Sequence, residues 1–414
     1  MSDSRRVFLC VLDSVGIGGA PDAGGFFNDA HPDTGANTLL HIAEACAAGA
    51  CDQRGRTGPL HLPVLCGLGL NAALRCASGA GFPGAAGANA QARWAVLQSA
   101  SAGKDTQTGH WELAGLRLTT DWHYFPRTIP AFPEEALQRL CAAGGLSGTL
   151  ANCHGSGSDL LARFGAEHMR SGQPILYTSA DSVVQIAAHE ESFGLERLLS
   201  LCAAAAEIFH PMNVGRIIAR PFVGDAEDGF TRTANRHDLA IAPPRPTLCD
   251  RVEAAGGRVH GIGKIADIFA GRGITHVLKG ADDMALFDRL LETVETATPG
   301  DLVFANFVEF DSLYGHRRDI PGYAAALERF DARLLALLAA LRPGDLLMLT
   351  ADHGNDPSWP GTDHTRERVP LLLVGARTEP QGVLPFTAAA DLAAAHLGLS
   401  EDLSPTPHAI SSAG

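Results

Sequence analysis

The stretch "LTADHGNDPSWPGTDHTRE" (residues 349–367) runs from an apolar segment straight into Asp352-His353 and reaches His364 eleven residues later. Three side chains of metal-ligand type in so short a loop raise the question of where the remaining ligands stand, since one loop does not close a metal site alone. The run LLMLT (346–350) reads as a strand, and the same signature recurs twice elsewhere. VFLCVL (7–12) ends on Asp13 and the glycine-rich SVGIGGAPDAG, while LVFANFVEF (302–310) ends on Asp311, followed by SLYGH with His316. In parallel α/β sheets, ligands gather outside the carboxyl ends of the strands. Asp13, Asp311 and Asp352-His353 are therefore expected along one rim, with His316 and His364 on loops beside it.

Three carboxylates and three imidazoles are enough for two metal ions with three protein ligands each. Mixed His/Asp sets suit Zn²⁺ or Mn²⁺, and oxygen-rich ones shift the preference toward Mn²⁺. One aspartate at a strand end is ordinarily a turn or helix-cap residue; it is the three loops together that point to metal. A two-metal centre usually serves phosphoryl or similar transfer, with the ions clamping attacking and leaving oxygens. The nucleophile is sought in SAGKDTQTGHWELAG (101–115), where a hydroxyl at a helix start has backbone N–H groups beside it to hold phosphate. Thr106 and Thr108 are equal candidates on this reading, and an ordinary helix N-cap is the alternative.

The rest of the chain reads as α/β. At 414 residues it is too long for one ordinary domain. Near-continuous apolar strands, including also PILYT (174–178), VVQIAA (183–188), GRIIARPFV (215–223) and VPLLLVG (369–375), alternate with amphipathic helices such as 37–47, 133–143, 158–170, 194–209, 281–296 and 322–341. That alternation predicts a mostly parallel sheet flanked by helices. Two proline-rich crossings, YFPRTIPAFPEE (124–135) and IAPPRPTL (241–248), would enclose an inserted domain of about 120 residues. The stretch from Ala47 to Ala92 is rich in Gly and Ala and carries no assigned role.

Composition narrows the function. A formal net charge of −14 argues against a nucleic-acid partner, because phosphate-backbone binding needs a basic face. No segment is long and apolar enough to be a signal or a membrane span. Nine cysteines without a CxxC pair read as reduced thiols, so a cytoplasmic location is expected. Of 32 basic side chains only Lys104, Lys264 and Lys279 are lysines, which marks places where a compact ammonium is kept.

Taken together, FLCVLDSVGIGGAPDA, GKDTQTGHWE, YTSADSVVQIAAHEE, ARPFVG with FTRTANRHD, GIGKIADIF, EFDSLYGHRRD and TADHGNDPSWPGTDHTRERVP resemble the phosphopentomutases of the alkaline phosphatase superfamily, in one order over nearly the whole chain. The resemblance implies an alkaline-phosphatase-like core (1–120 and 244–414) with an inserted smaller α/β cap domain (121–243). It implies interconversion of α-D-ribose 1-phosphate and D-ribose 5-phosphate, and of the 2-deoxyribose pair, in nucleoside catabolism. Two Mn²⁺ would be held by Asp13, Asp352 and His353, and by Asp311, His316 and His364. Thr106 would be the phosphorylated threonine, loaded by a sugar bisphosphate activator. Asp181, Arg216, Arg232 and Lys264 would touch the sugar phosphate, and no protein partner is required. Glu309, where the family commonly has Asp, would share a strand face with Asp311 by period-two alternation.

The implied reaction passes the phosphoryl group from phospho-Thr106 to the pentose monophosphate, forms a pentose 1,5-bisphosphate, and takes the other phosphate back. The cap would hold the non-reacting phosphate and exclude water. Rival readings are a metal-dependent phosphatase, another phosphomutase such as a cofactor-independent phosphoglycerate mutase, and a catalytically silent metal-binding protein.

Overall fold

VFLCVL, joined by Arg6, forms strand β1 (Arg6–Leu12), and all of its residues are buried. Apolar side chains on both faces of the pleat are what a strand at the centre of a covered sheet requires. In the computed structural model, which describes residues 4–53, 55–83, 93–179, 182–375 and 382–399, β1 is the fourth strand of eight. The others are β2 (Arg93–Gln98), β3 (Val259–Ile262), β4 (His276–Leu278), β5 (Leu302–Phe307), β6 (Asp345–Thr350), β7 (Val369–Val374) and β8 (Val383–Pro385), in the order β4-β3-β5-β1-β6-β7-β2-β8. The first five in that order run parallel. The sheet is mixed rather than uniformly parallel, because β7 is antiparallel to both β6 and β2. The link from Thr350 to Val369 holds no crossover helix, so the chain can only return in the opposite direction.

The three strands whose ends carry aspartate, β5, β1 and β6, are adjacent. The expected strand 302–310 stops at Phe307, however, and Phe310–Gly315 forms a π-helical turn with Glu309 as its helical cap residue. Asp283 Oδ2 accepts a hydrogen bond from Glu309 N at 3.1 Å, helping to hold the chain off the sheet. Glu309 and Asp311 therefore do not share a strand face.

Flanking helices start where side chains cap them. Asn37 accepts from Leu40 N at the start of Thr38–Ala47, Asp282 from Ala285 N before Asp283–Thr296, and Asp319 from Gly322 N before Ile320–Ala340. The long helix Ile320–Ala340 packs on the other two, and Phe287, Phe307, Phe310 and Phe330 meet edge-on between it and β5. Within the Gly/Ala-rich stretch the described residues form the short helices Pro63–Gly67 and Leu70–Ser78; 84–92 lie outside them. No helix among the described residues is long and apolar enough to cross a membrane.

The chain divides into two compact units, Met1–Thr119 with Pro243–Gly414, and Thr120–Ala242. In the first unit, Leu248 N donates to Ala114 O at 2.8 Å, tying the segment before the second unit to the segment after it. The second unit is its own α/β layer structure. Its sheet runs His237–Ala240, Arg216–Asp225, Val183–His189, Ile175–Thr178, Leu150–His154, with Gly229–Arg232 paired to Arg216–Asp225. Leu176, Val184, Ile186, Ile217 and Ala219 join one apolar core, and Ile175, Tyr177, Ala187 and Phe222 join another, as period-two alternation across a sheet demands.

One buried ion pair fixes the start of β1 to the start of β6. Arg6 forks onto Asp345 through Nε–Oδ1 at 2.8 Å and Nη2–Oδ2 at 2.7 Å, and its Nη1 donates to Val294 O at 2.6 Å and to Ala297 O at 3.0 Å. Asp345→Ala leaves a buried guanidinium without its counter-charge and is expected to cost about 3–5 kcal/mol. The paired change Arg6→Met with Asp345→Leu is expected to recover most of that loss. Urea unfolding of the single and double variants checks this, and a single variant no worse than the double would refute it.

Candidate active site

Three neighbouring strands deliver three carboxylates to one place. Asp13 follows β1 directly, Asp352 lies two residues beyond β6, and Asp311 sits on the π-helical turn beyond β5. All three are buried, as are His353 and His364, while His316 is partly exposed. Ligand atoms of Asp13, Asp352 and His353 all lie within 4.8 Å of one another, and so do those of Asp311, His353 and His364. His353 thus belongs to both groups. His316 approaches from the outer side, with Nε2 3.1 Å from Asp311 Oδ2 and its ring 4.7 Å from that of His364.

The histidines are turned by backbone carbonyls. His353 Nδ1 lies 3.0 Å from Gly354 O, and His316 Nδ1 lies 2.5 Å from Thr362 O. A carbonyl can only accept, so each Nδ1 carries a proton and each Nε2 is turned toward the carboxylates. The carboxylates are oriented the same way. Asp13 Oδ2 accepts from Asn306 Nδ2 at 2.8 Å, Asp352 Oδ1 from Ser14 N at 3.0 Å, and Asp311 Oδ1 from Asn355 Nδ2 at 2.7 Å.

These bonds leave Asp13 Oδ1, Asp352 Oδ2 and His364 Nε2 buried without a hydrogen-bond partner. Orphaned buried polar atoms of this kind are rare and costly unless something completes them. The electrostatics agree. Burial, then the charges of Asp352 and Asp311, push the Asp13 carboxyl well above its usual range. Burial would also raise Asp311, but His364 and His316 outweigh it and hold that carboxyl well below the ordinary value. His364 is itself raised, the pull of Asp311 overcoming the effect of burial. The donor set, hard oxygens with imidazole nitrogens, fits divalent cations of the Mn²⁺ or Zn²⁺ kind.

Thr106 and Thr108 are separated by the helix they begin. Asp105 caps Thr106–Leu113, accepting from Thr108 N at 3.0 Å and Thr108 Oγ1 at 2.7 Å, so the Thr108 hydroxyl is spent on the cap. Thr106 is the first helical residue, and its Oγ1 lies 3.1 Å from His353 Nε2. The helix approaches the metal-type loop closely: a Cβ on Gly109 would stand 2.2 Å from Asp352 O.

Several residues that hold this arrangement lie in the quoted motifs but had no role there. Glu367, buried in the opening stretch, accepts from Thr38 Oγ1 and Thr365 Oγ1 on one oxygen and from Gly18 N and Thr38 N on the other. Burial and the nearby Asp356 raise its carboxyl to about 7. Arg366 forks onto Asp22 and donates to Gly103 O at 2.7 Å, tying the loop before Thr106 to the loop after His364. Lys104 Nζ is taken by Phe27 O and Asp33 Oδ2.

The remaining sequence candidates are placed as follows. Lys264 is exposed and stands just before the short helix Ile265–Ile268, directly after β3 and Gly263, with no side-chain bond to the helix start. Asp181 lies outside the described residues. In the second unit Arg216 begins the strand Arg216–Asp225, and Arg232 Nη2 donates to Tyr177 OH at 3.2 Å. Arg220, on the same strand and not singled out by sequence, donates to Gln185 Oε1 at 2.9 Å. Burial first, then Arg236 and Arg232, hold its guanidinium below the ordinary value. Cations gathered against their own repulsion suit an anion.

Gly109→Ala is expected to force the helix Thr106–Leu113 away from Asp352 and to cut turnover about a hundredfold or more, as a 1 Å misplacement does. Circular dichroism would stay unchanged. Steady-state kinetics decide it, and near-normal turnover would show that the close approach is dispensable.

The chain matches the family model of the metalloenzyme superfamily over residues 5–399. It is 55% identical over 410 residues to the phosphopentomutase of Sinorhizobium fredii, covering 97% of this chain and 98% of that protein. It is 58% identical over 380 residues to the phosphopentomutase of a Chelativorans species, covering 89% of each. Among solved structures it aligns with a Pyrococcus horikoshii protein at 13% identity and TM-score 0.47, covering 97% of this chain and 99% of the other. With the Leishmania mexicana phosphoglycerate mutase the values are 12% and 0.45, covering 98% and 97%.

Proposed function

The chain belongs to the metalloenzyme superfamily and, within it, to the phosphopentomutases, and from that premise we propose how its own residues carry out the pentose phosphate mutase reaction. Asp13, Asp352 and His353 hold one divalent cation, and Asp311, His316 and His364 hold the other, with Mn²⁺ in both. The observation that carries this is the trio of buried, unpartnered ligand atoms, Asp13 Oδ1, Asp352 Oδ2 and His364 Nε2. Bound there, the cations neutralise charge on the transferring phosphoryl group.

Thr106 Oγ1 is the nucleophile. Phosphorylated Thr106 gives its phosphoryl group to the free hydroxyl of a pentose monophosphate: the new P–O bond forms to the sugar oxygen as the bond to Oγ1 breaks. The resulting pentose 1,5-bisphosphate presents its other phosphate, and Thr106 takes that one back. α-D-ribose 1-phosphate and D-ribose 5-phosphate, or the 2-deoxy pair, are thereby exchanged. A sugar bisphosphate loads Thr106 for the first turnover. The backbone N–H groups opening the helix Thr106–Leu113 hold the phosphate in line. Arg216 and Arg232 in the second unit, with Arg220 near Arg232, bind the phosphate that is not reacting, and Asp181 and Lys264 bind the rest of the sugar phosphate. No protein partner, nucleic acid or membrane enters the reaction, which is placed in the cytoplasm.

The test is turnover of ribose 1-phosphate by Mn²⁺-loaded protein with a bisphosphate primer, following ribose 5-phosphate and free phosphate together. Ribose 5-phosphate without phosphate release is expected, and it disappears on chelation. Thr106→Ala is expected to lose turnover while still binding Mn²⁺. Free phosphate as the main product would mean a phosphatase, and an active Thr106→Ala would dismiss the nucleophile.

A further inference from the structure

Two buried polar residues stand directly behind the proposed ligands Asp13 and Asp352, and the reaction as written uses neither. His110 lies one turn after Thr106 on the same helix, and Asn306 lies in β5; both are fully buried. His110 Nδ1 is 2.8 Å from Thr106 O and 3.1 Å from Asp352 Oδ2. Asn306 Nδ2 is 2.8 Å from Asp13 Oδ2 and 3.2 Å from His110 Nε2.

Hydrogen accounting fixes every orientation in this chain. Thr106 O is a carbonyl and Asp352 a carboxylate, so the His110 nitrogen facing them, Nδ1, carries the ring proton. Nε2 then offers a lone pair. The amide of Asn306 must turn nitrogen, not oxygen, toward Asp13, because an oxygen there would meet a carboxylate oxygen with no hydrogen between them. One Nδ2 hydrogen goes to Asp13 and the other points at His110 Nε2, which is free to accept it. The relay runs one way: Asn306 donates to Asp13 and to His110, and His110 donates to Thr106 O beside Asp352, while Asn306 Oδ1 stays buried without a hydrogen-bond partner.

From this geometry we infer that His110 and Asn306 act as one positioning pair, joining the carboxylates of the first proposed metal site to the backbone of the nucleophile. By occupying Asp13 Oδ2, Asn306 leaves Oδ1, the orphaned atom, as the ligand. By bonding Thr106 O while lying against Asp352, His110 sets where Oγ1 stands relative to that site. A mutase uses Thr106 twice per turnover, from two different phosphates, so its position has to be the same on both occasions. The inference rests on the metal assignment proposed above. The alternative is a histidine that merely fills the core, since its ring also stacks on Phe304 at 5.8 Å.

The experiment is titration of metal-free protein with Mn²⁺, read from the paramagnetic resonance signal of free Mn²⁺, together with the Tm of each metal-free variant. His110→Phe keeps the packing and removes both nitrogens, His110→Asn keeps a donor near the Nδ1 position, and Asn306→Leu removes the amide. His110→Phe and Asn306→Leu are each expected to weaken one of the two sites about 10–100-fold and spare the other. Because the pair acts as a unit, the double variant is expected to be no weaker than the worse single one. His110→Asn is expected to recover most of the affinity, and kcat to fall in His110→Phe with KM unchanged. Wild-type affinity in both single variants, losses that add, or both sites weakening in step with a lower Tm would each overturn the inference. Wild-type protein that takes up no Mn²⁺ would bring down the metal reading itself and this inference with it. That result is distinct from wild-type and variant proteins binding alike.

Discussion

Three carboxylates share one buried cluster, and they cannot all be charged there without positive charge among them. Ligand-type atoms of Asp13 and Asp352 lie within 4.8 Å of one another, and a like-charged pair about 4 Å apart costs on the order of 4 kcal/mol even with an effective dielectric of 20. Much of the first unit is arranged around holding that conflict in place. Three adjacent parallel strands bring the carboxylates together. Asn306, Ser14 and Asn355 each occupy one oxygen, and two backbone carbonyls turn histidine Nε2 atoms inward. Each bond satisfies one side of a carboxylate or imidazole and leaves the other facing the same small volume. A cation placed there converts the repulsion into coordination.

The rim was legible in the sequence because it is written in one dimension. A continuous apolar run means a covered strand, and an aspartate at its carboxyl end means a side chain on the rim; Asp13, Asp311 and Asp352 all follow that grammar. The residues behind them do not. His110 and Asn306 are 196 positions apart and meet only because the helix starting at Thr106 packs near β5. Glu367 lies in the most informative stretch of the chain, yet its partners Thr38 and Gly18 are supplied from the other end. Arg220 is one arginine among many until Arg232 and Arg236 are seen beside it. Strand direction was equally invisible for β7, whose composition matches that of the parallel strands although both of its neighbours run antiparallel to it. Glu309 misled for a local reason, a cap from Asp283 that ended the strand before period-two counting could apply.

The charge balance of the chain has a similar lesson. A net charge of −14 sets the far field and disfavours polyanions. It says little about a small phosphorylated sugar, which responds to charges within a Debye length of about 8–10 Å. The acidic whole and the clustered guanidiniums of the second unit act at different ranges and do not compete.

The hydrogen bond from Leu248 N to Ala114 O has a consequence for how the chain is held together. It closes the first unit on itself on either side of Thr120–Ala242, so the second unit is an excursion that leaves and returns at a joined pair of strands of chain. The entropy of closing a loop grows only with the logarithm of its length. Lengthening, shortening or exchanging what lies between those two points therefore changes the cost of forming the first unit by little more than a few tenths of a kcal/mol. The sheet and its carboxylate cluster are insulated from the size of what is spliced into them. Their neighbour is free to vary as a module, with its own two apolar cores to keep it folded.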